Sequence, residues 1–334
     1  MKDFICAHGG CMSKLEGNKL NPMLTGAKRR AGYANQNQNE DAFDDCATVS
    51  LGTQQLLLTT DLNHPVGHDP YVAGQIAAYH AISDVYAMGG TPKFAVAQVV
   101  LAKNSPPNHG ELYMAGLYSA CSQDKVEIVG GHTIVSSEPI IGLTVIGHPS
   151  EDGIVFRKKS CVPGDKIWVS KPIGTALILR AYSNGLLPEE DYNEAIRIML
   201  TSNKVALKLV DSGIHGLTDV TGFGLLGHLT EMLTNGQGAR ISVDAVPYLS
   251  GVHELPYLQM KTRFIDDNIS YVRKAKKLFG KLDSAEKYAL FDPQTNGALL
   301  AVAPDTSQAV LAENGFFCIG EIEGRETNEI HLSG

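Results

Sequence analysis

Apolar positions recur along most of the chain at either strand or helix spacing, and they predict a mixture of the two elements. Runs rich in apolar and β-branched residues predict strands over 55–60, 94–101, 127–135, 139–147, 166–170, 298–303 and 317–321. Only a short polar turn separates the strands over 127–135 and 139–147. Helical periodicity predicts helices over 70–88, 111–122, 191–212 and 221–233. Because strands and helices are mixed without strict alternation, the pattern favours an α+β fold over a doubly wound sheet.

The helix over 70–88 has the clearest boundaries in the sequence. Asp69 and Pro70 are typical of an N-cap followed by the first helical position. A Gly-Gly pair directly after Met88 is typical of a helix end. We therefore expect a helix that begins at Pro70 and stops by Met88.

Composition and length exclude several classes of protein. The 334 residues are 43% hydrophobic and 19% charged, as in ordinary globular chains, and this length predicts two domains. A net charge of −8 without a long basic run argues against binding to nucleic acid. No apolar run approaches the roughly 18 residues of a membrane span, and the N-terminus does not resemble a signal peptide. Six cysteines without C-x-x-C spacing argue against a disulfide framework or structural zinc, so we expect a cytoplasmic protein.

A polar segment over 150–164, which contains Gly153 and Pro163, is the best candidate for a domain boundary. It divides the chain into an N-terminal domain over 1–155 and a C-terminal domain over 156–334. The first 40 or so residues contain Gly-rich and polar tracts and predict a flexible segment.

Several acidic side chains stand where elements begin or end, or on a helix face of small residues: Asp44, Asp45, Asp61, Asp84 and Asp219. Taken alone, Asp61 is typical of a surface turn at a strand end, and Asp219 is typical of a helix N-cap. Asp84 follows His80 by four residues on a predicted helix, next to a face of small residues that lets another backbone or a ligand approach closely. An acid at such a position is either paired internally or binds a cation. Carboxylates at these positions could together hold Mg²⁺ and a nucleotide phosphate. The Walker and dinucleotide fingerprints are missing from the chain.

Two further segments could carry chemistry. Cys11 and Lys14 lie three residues apart in a Gly-flanked segment, where a lysine can increase the thiolate fraction of a cysteine. The alternative is an incidental cysteine in a flexible N-terminus. The segment Gly130–Thr133 interrupts a strand pattern, and its glycines either permit close approach of a ligand or mark a bulge.

Four segments follow one another with distinctive sequences: Ala81–Gly90, Gly130–Thr133 with Glu138–Leu143 after it, Thr218–Leu229 and Phe291–Gly297. Together they resemble the selenophosphate synthetase (selenide, water dikinase) family, in that family's order and at about its spacing. The Asp-Val-Thr-Gly-Phe-Gly-Leu-Leu-Gly-His segment from Asp219 and the Asp-Pro-Gln-Thr segment from Asp292 are the specific ones. The Ala-Ile-Ser-Asp helix is shared more widely, across the aminoimidazole ribotide synthetase (PurM-like) superfamily.

The resemblance implies a PurM-like two-domain fold and an activity. The N-terminal α+β domain is expected to dimerise through its sheet, and the C-terminal domain is expected to be α/β. ATP is expected to bind between an acidic Mg²⁺ cluster and the partner subunit of a homodimer. The family's reaction uses ATP, selenide and water, and gives selenophosphate, AMP and phosphate.

The resemblance also implies roles for individual residues. Cys11 matches the family's reactive cysteine, and Lys14 matches its essential lysine. Metal ligands are implied at Asp45, Asp84 and Asp219. Contacts to the nucleotide are implied at Lys14, Ala42, Phe43, Asp44, Asp61, Asp84, Gly131, His132 and Thr133, the last three reaching the partner's nucleotide.

The chain departs from the family's pattern at four places. Ser13 stands where the family has a second cysteine, and His80 stands where it has an asparagine. Residues 261–268 keep only part of a Pro-Gly-Gly-Thr-x-Arg-Asn segment, and Asn296-Gly297-Ala298 replaces Ser-Gly-Gly. The implied metal acids, Cys11 and Lys14 are all present. The resemblance therefore supports ATP and Mg²⁺ binding more directly than it supports the identity of the phosphoryl acceptor. Two alternatives stay open: another ATP-dependent kinase of the superfamily, such as a thiamine-monophosphate kinase, and a catalytically inactive nucleotide-binding homologue.

Overall fold

The computed structural model of the chain describes residues 17–31, 44–256, 262–324 and 328–334, with the side chains of the first range given from residue 22 onward. Several residues singled out from the sequence lie outside these ranges: Cys11, Ser13, Lys14, Ala42, Phe43 and Lys261. None of the described helices combines the length and the apolar character needed to cross a membrane.

The first half of the described chain forms a five-stranded sheet with helices on it. Its strands are β1 (Ala47–Leu51), β2 (Gln54–Asn63), β3 (Thr91–Ala102), β4 (Glu127–Ser136) and β5 (Ile140–His148). They are ordered β1-β2-β5-β3-β4, and only the β3–β4 pair is parallel. The helices of this half are α1 (Gly17–Ala31), α2 (Pro70–Ala87) and α3 (His109–Gln123).

Helix α2 confirms the boundaries expected from its sequence. Oδ1 of Asp69 accepts a hydrogen bond from the Tyr71 N–H at 2.8 Å, which is an N-cap contact. Gly89, with φ at +72°, terminates the helix in a conformation that favours glycine. Where α2 packs on α3, Gly74 and Gly116 face each other's backbone, and a Cβ on either would overlap a carbonyl oxygen. Close packing of this kind fixes the position of α2 and of the polar side chains on it.

The second half of the described chain forms a seven-stranded sheet covered by helices. Its strands, in the order β7-β10-β6-β11-β8-β12-β9, are β6 (Lys166–Val169), β7 (Gly216–Asp219), β8 (Gly238–Ser242), β9 (Lys277–Phe279), β10 (Leu299–Ala303), β11 (Phe317–Glu323) and β12 (Glu329–Ser333). The helices are α4 (Thr175–Ser183), α5 (Glu189–Met199), α6 (Gly224–Met232), α7 (Arg263–Ala275), α8 (Ala285–Ala289) and α9 (Gln308–Glu313). Short 3₁₀ helices cover Lys158–Ser160, Asn203–Leu209, Val243–Ala245, Ser250–Glu254 and Asp305–Ser307.

Helix α2 is buried because the two halves pack against each other across it. Trp168 and Leu299, from the second sheet, belong to the same buried apolar cluster as Leu57 and Ile82 of the first half. Helix α2 contacts β2 and β5 on one side and β7 on the other. The packing therefore brings the last turns of α2 against the end of β7. The domain boundary expected near residue 155 falls between β5 and β6, and it stays a prediction.

One expectation about local structure was wrong. The strands over 127–135 and 139–147 form as expected and follow each other after a short turn, with β3 lying between β4 and β5 in the sheet. The single helix expected over 191–212, however, is divided into α5 and a 3₁₀ helix that begins at Asn203. Ser202 causes this break, since its hydroxyl accepts the Lys204 N–H at 3.2 Å and caps a new helical segment.

The positions of two acids also differ from the simplest expectations. Asp61 lies inside β2 rather than at a turn after the strand. Asp219 is the last residue of β7, and it is not the N-cap of α6, whose first residue is Gly224. Both carboxylates are therefore held by sheet backbone.

Candidate active site

Three aspartates from distant parts of the chain meet where the two halves join. Asp45 precedes β1, Asp84 lies in the last turn of α2, and Asp219 ends β7. One carboxylate oxygen of each lies within 4.8 Å of the others. Asp84 and Asp219 are buried, so their mutual repulsion is weakly screened by solvent. A set of three carboxylate oxygens suits a hard divalent cation such as Mg²⁺.

Hydroxyl groups hold two of these carboxylates from their outer sides. Oγ1 of Thr59 donates to Asp84 Oδ2 at 2.5 Å, and Oγ of Ser83 donates to Asp219 Oδ2 at 2.6 Å. The amide of Asn203 donates to the Ser83 hydroxyl at 2.8 Å, which directs the Ser83 proton toward Asp219. These contacts fix the orientation of each carboxylate without adding charge.

A basic segment between the halves lies beside the third carboxylate. Nζ of Lys158 is 2.7 Å from Asp45 Oδ1 and 3.3 Å from Glu231 Oε2. The preceding residue, Arg157, forms an ion pair with Asp44 at 2.6 Å. Asp44, implied as a nucleotide contact, is thus paired within this chain.

Burial and the negative charge of the aspartates change the pKa values of neighbouring side chains. Burial raises the pKa of the Cys46 thiol well above its usual value, and the aspartates raise it further: Asp84, Asp45, Asp219 and Asp61. The Cys46 thiol is therefore neutral. Lys171 is buried nearby, and burial lowers the pKa of its ammonium group to about 7, with Asp219 opposing the change.

Asp61 lies beside the three-aspartate group on the inner face of the first sheet. Its Oδ2 is 3.5 Å from Nε2 of His80, which is fully buried one helical turn before Asp84. Asp61 is not among the three carboxylates that approach one another within 4.8 Å. Asp61 is thus a fourth carboxylate beside the site, separate from the three that are clustered.

The Gly131–Thr133 segment lies away from the clustered aspartates of the same chain. It belongs to β4, an exposed edge strand. The register places His132 level with Gln98, Gly142 and Leu62 on successive strands. Three strand spacings separate β4 from β2, roughly 14 Å. The chain thus does not bring this segment to its own acids.

The Asp-Pro-Gln-Thr segment has a structural role within the described residues. Oε1 of Gln294 accepts from the Thr175 N–H at 3.2 Å and from the Thr175 hydroxyl at 2.8 Å. Oδ2 of Asp292 accepts from the Leu177 N–H at 3.1 Å. These groups satisfy the first turn of α4, which has no side-chain cap of its own. Burial raises the pKa of the Asp292 carboxyl to about 7.

Sequence reasoning missed the polar groups that surround the acids: Thr59, Ser83, Lys158, Asn203 and Glu231. The run Arg157-Lys158-Lys159 was the only available signal, since three consecutive cations next to a boundary need partners. The hydroxyl and amide contacts are formed by residues far apart in sequence, and no local pattern indicates them.

Both halves of the chain match known domain families. The model of the AIR synthase related protein, N-terminal domain, matches residues 43–148, and the model of the AIR synthase related protein, C-terminal domain, matches residues 162–333. The fold and its acidic site thus define an AIR synthase related, PurM-like protein, which confirms the expected two-domain α+β architecture.

Curated relatives narrow the class. The selenide, water dikinase of Escherichia coli O6:H1 is 35% identical over 321 residues, covering 94% of this chain and 91% of that protein. The selenide, water dikinase of Carboxydothermus hydrogenoformans is 35% identical over 259 residues, covering 77% of this chain and 75% of that protein. The chain belongs to the selenide, water dikinase family, and this confirms the resemblance found in its motifs.

Solved structures share the fold at lower identity. The thiamine monophosphate kinase of Aquifex aeolicus has a TM-score of 0.67 at 21% identity, covering 94% of this chain and 96% of that one. The Escherichia coli hydrogenase maturation protein HypE has a TM-score of 0.59 at 18% identity, covering 94% and 93% of the two chains. At these identities the likeness concerns the fold alone.

Proposed function

We propose that this chain is an ATP-dependent enzyme that makes selenophosphate from selenide and water and releases AMP and phosphate. The single observation that carries this proposal is the cluster of Asp45, Asp84 and Asp219 in a chain of this family. One phosphoryl group of ATP goes to selenium, and a second goes to water. The atoms of ATP, selenide and water are thereby accounted for in the three products.

The acidic cluster fits Mg²⁺ by the chemistry of its donors. Three carboxylates in a buried setting repel one another, and a divalent cation would offset that repulsion. Asp45, Asp84 and Asp219 would hold the metal, and Asp61 would face the nucleotide beside it. A bound Mg²⁺ neutralises phosphate charge and stabilises the charge that develops during phosphoryl transfer.

Cys11 and Lys14 are proposed to complete the site, although both lie outside the described residues. A lysine ammonium would add positive charge near the transferred phosphoryl group. A thiol with raised thiolate fraction would either attack as a nucleophile or carry selenium.

A homodimer is proposed through the first sheet. Large apolar side chains are exposed on its outer face and edge: Leu58, Leu62, Phe94, Val129, Ile134 and Val135. An exposed apolar face with an unpaired edge strand is typical of an interaction surface. Pairing there would cover these side chains and would carry Gly131, His132 and Thr133 toward the partner's nucleotide.

The test is turnover of ATP by the purified protein with Mg²⁺, a thiol reductant and selenide. Selenide-dependent formation of AMP supports the proposal. ATP turnover that ignores selenide would favour another kinase of the superfamily, and absence of turnover with retained nucleotide binding would favour an inactive homologue.

A further inference from the structure

His80 connects the two halves of the molecule at the edge of the acidic site. Its Nδ1 accepts a hydrogen bond from the backbone N–H of Asn296 at 3.2 Å. Its Nε2 lies 3.5 Å from Oδ2 of Asp61 on β2. A single buried ring therefore faces an acid of the first sheet on one side and the segment before β10 on the other.

The contact with Asn296 determines which nitrogen of the ring carries the proton. A backbone N–H can only donate, so Nδ1 of His80 must accept. In the neutral imidazole the proton is then on Nε2, the nitrogen that faces Asp61. The Nε2–H group thus faces the Asp61 carboxylate across 3.5 Å, an electrostatic contact longer than a hydrogen bond, and the opposite side of the ring is held by the Asn296 N–H.

Asn296 is itself held firmly. Its amide donates to the carbonyl oxygens of Met199 at 2.6 Å and Thr201 at 3.0 Å. Its own carbonyl accepts from the buried ammonium group of Lys171 at 3.0 Å. Its φ of +47° lies in the left-handed region, which asparagine tolerates better than most residues. The group that orients the His80 ring is therefore rigid.

The length of the side chain at position 80 decides whether both contacts can form. An asparagine side chain is too short to reach both Asp61 and the backbone of residue 296. The imidazole spans the distance between them. His80 and the backbone of Asn296 thus form one structural unit beside Asp61.

We propose that His80 is a positioning residue that orients Asp61 toward a metal-bound nucleotide, its own ring being held by the backbone N–H of Asn296. This inference rests on the proposed function, because the orientation of Asp61 matters only if the neighbouring acids bind metal and nucleotide. His80 acts through Asp61 and does not touch the substrate.

Two matched substitutions separate the two contacts of the ring. In His80→Gln, the amide nitrogen stands near the position of Nε2, so a donor toward Asp61 is kept and the acceptor for Asn296 is lost. In His80→Asn, the shorter amide stands near Nδ1, so the acceptor is kept and the donor toward Asp61 is lost. Calorimetry measures Mg²⁺-dependent binding of a non-hydrolysable ATP analogue to each, and thermal unfolding reports its stability.

We expect His80→Asn to weaken this binding about tenfold, as loss of a group that orients a ligand does. His80→Gln should lose clearly less affinity, although it unfolds at a lower temperature. Tyr79→Phe is the control, since it removes a 2.8 Å hydrogen bond to Gln123 from the same helix, away from the acids. It should lower stability and leave the binding of the analogue unchanged.

The inference is overturned if His80→Asn binds the analogue as tightly as the unaltered protein does, or if both His80 variants lose affinity equally. The unaltered protein separates this failure from that of the proposed function. If it binds the analogue without any dependence on Mg²⁺, the proposed function fails and the role of His80 fails with it. If it binds normally and His80→Asn is unchanged, only the role of His80 is wrong.

Discussion

The ammonium group of Lys158 lies 2.7 Å from Oδ1 of Asp45, so a cation of the chain itself contacts one of the three clustered carboxylates. The same group reaches Glu231 Oε2 at 3.3 Å. Lys158 is buried in a 3₁₀ turn between the two halves. Lys158 therefore offsets part of the repulsion among the clustered carboxylates, and it does so from the segment that joins the two halves.

Replacing Lys158 by methionine should destabilise the protein. Removing one partner of a buried ion pair costs about 3–5 kcal/mol, because the other charge is left without its partner. Mg²⁺ should restore more stability to Lys158→Met than to the unaltered protein, since a bound cation replaces the missing charge. Thermal unfolding with and without Mg²⁺ measures both effects.

Lys166→Met is the matched control for this prediction. Lys166 pairs with Glu321 at 2.7 Å, and both side chains are partly exposed to solvent. Exposed pairs contribute only about 0–1 kcal/mol. Equal unfolding temperatures for Lys158→Met and the unaltered protein, both measured without Mg²⁺, would contradict the role of Lys158.

Asp84→Asn should weaken Mg²⁺-dependent binding of an ATP analogue by at least about tenfold, because a carboxylate of the cluster becomes neutral. Thr59 still finds an acceptor in the asparagine, so the fold should be preserved. With one negative charge fewer in the cluster, the metal-free variant should be at least as stable as the unaltered protein. Calorimetry and thermal unfolding measure the two quantities.

Asp69→Asn is the control for Asp84→Asn. It tests whether any loss of negative charge on α2 weakens the Mg²⁺-dependent binding of the ATP analogue. Asparagine is as good an N-cap as aspartate, and Asp69 stands at the opposite end of the same helix. Its affinity for the analogue should be unchanged. Unaltered binding in Asp84→Asn would show that the acidic cluster does not hold the metal.

The titration of Asp292 predicts a pH dependence of stability. Burial raises the pKa of its carboxyl to about 7, whereas the unfolded carboxyl has its ordinary pKa near 4. Between these values the folded state binds more protons than the unfolded state, so its contribution to stability falls as pH rises. The change is up to about 1.4 kcal/mol per pH unit and ends above about pH 7.

The variant Asp292→Asn isolates this contribution because an asparagine does not titrate and still offers an acceptor to the Leu177 N–H. As the pH is lowered from 8 to 5.5, the unfolding free energy of the unaltered protein should increase relative to that of Asp292→Asn. Urea denaturation at several pH values measures it. A difference that stays constant with pH would rule out a raised pKa at Asp292.

Cys11→Ser should abolish most selenide-dependent turnover, by at least about 100-fold, if the thiol is either nucleophile or selenium carrier. Binding of the ATP analogue should be retained, because the acids do not depend on this residue. Cys318→Ser is the control, since Cys318 is an exposed free cysteine in the second half. Full selenide-dependent activity in Cys11→Ser would refute the role given to Cys11.

The sequence predicted α2 and its acid well because the signals are local. A cap, a proline and a glycine pair define the helix, and Asp84 follows from its register. The convergence with Asp219 is a different matter, since Ser83 and Asp219 are 136 residues apart and meet only through packing. The resemblance of the motifs to a known family indicated that Asp84 and Asp219 lie close together. It did not indicate Lys158, because the contact of Lys158 with Asp45 depends on the path of the chain between the two halves.

The error in the fold and the arrangement that the sequence left open have equally specific causes. The helix expected over 191–212 breaks because the Ser202 hydroxyl competes for a backbone N–H, an effect that apolar periodicity does not report. The position of β3 between β4 and β5 depends on pairing across the sheet rather than on the short turn that joins them. The Asp-Pro-Gln-Thr segment, one of the most specific motifs, caps α4 from more than a hundred residues away.

The most direct test of the proposed activity follows the phosphorus of ATP. The purified protein is supplied with ATP, Mg²⁺, a thiol reductant and selenide, and ³¹P NMR identifies the products. We expect AMP, phosphate and selenophosphate to form together, and we expect AMP formation to stop when selenide is withheld. ATP consumption at the same rate without selenide, or ADP as the final nucleotide product, would contradict the account.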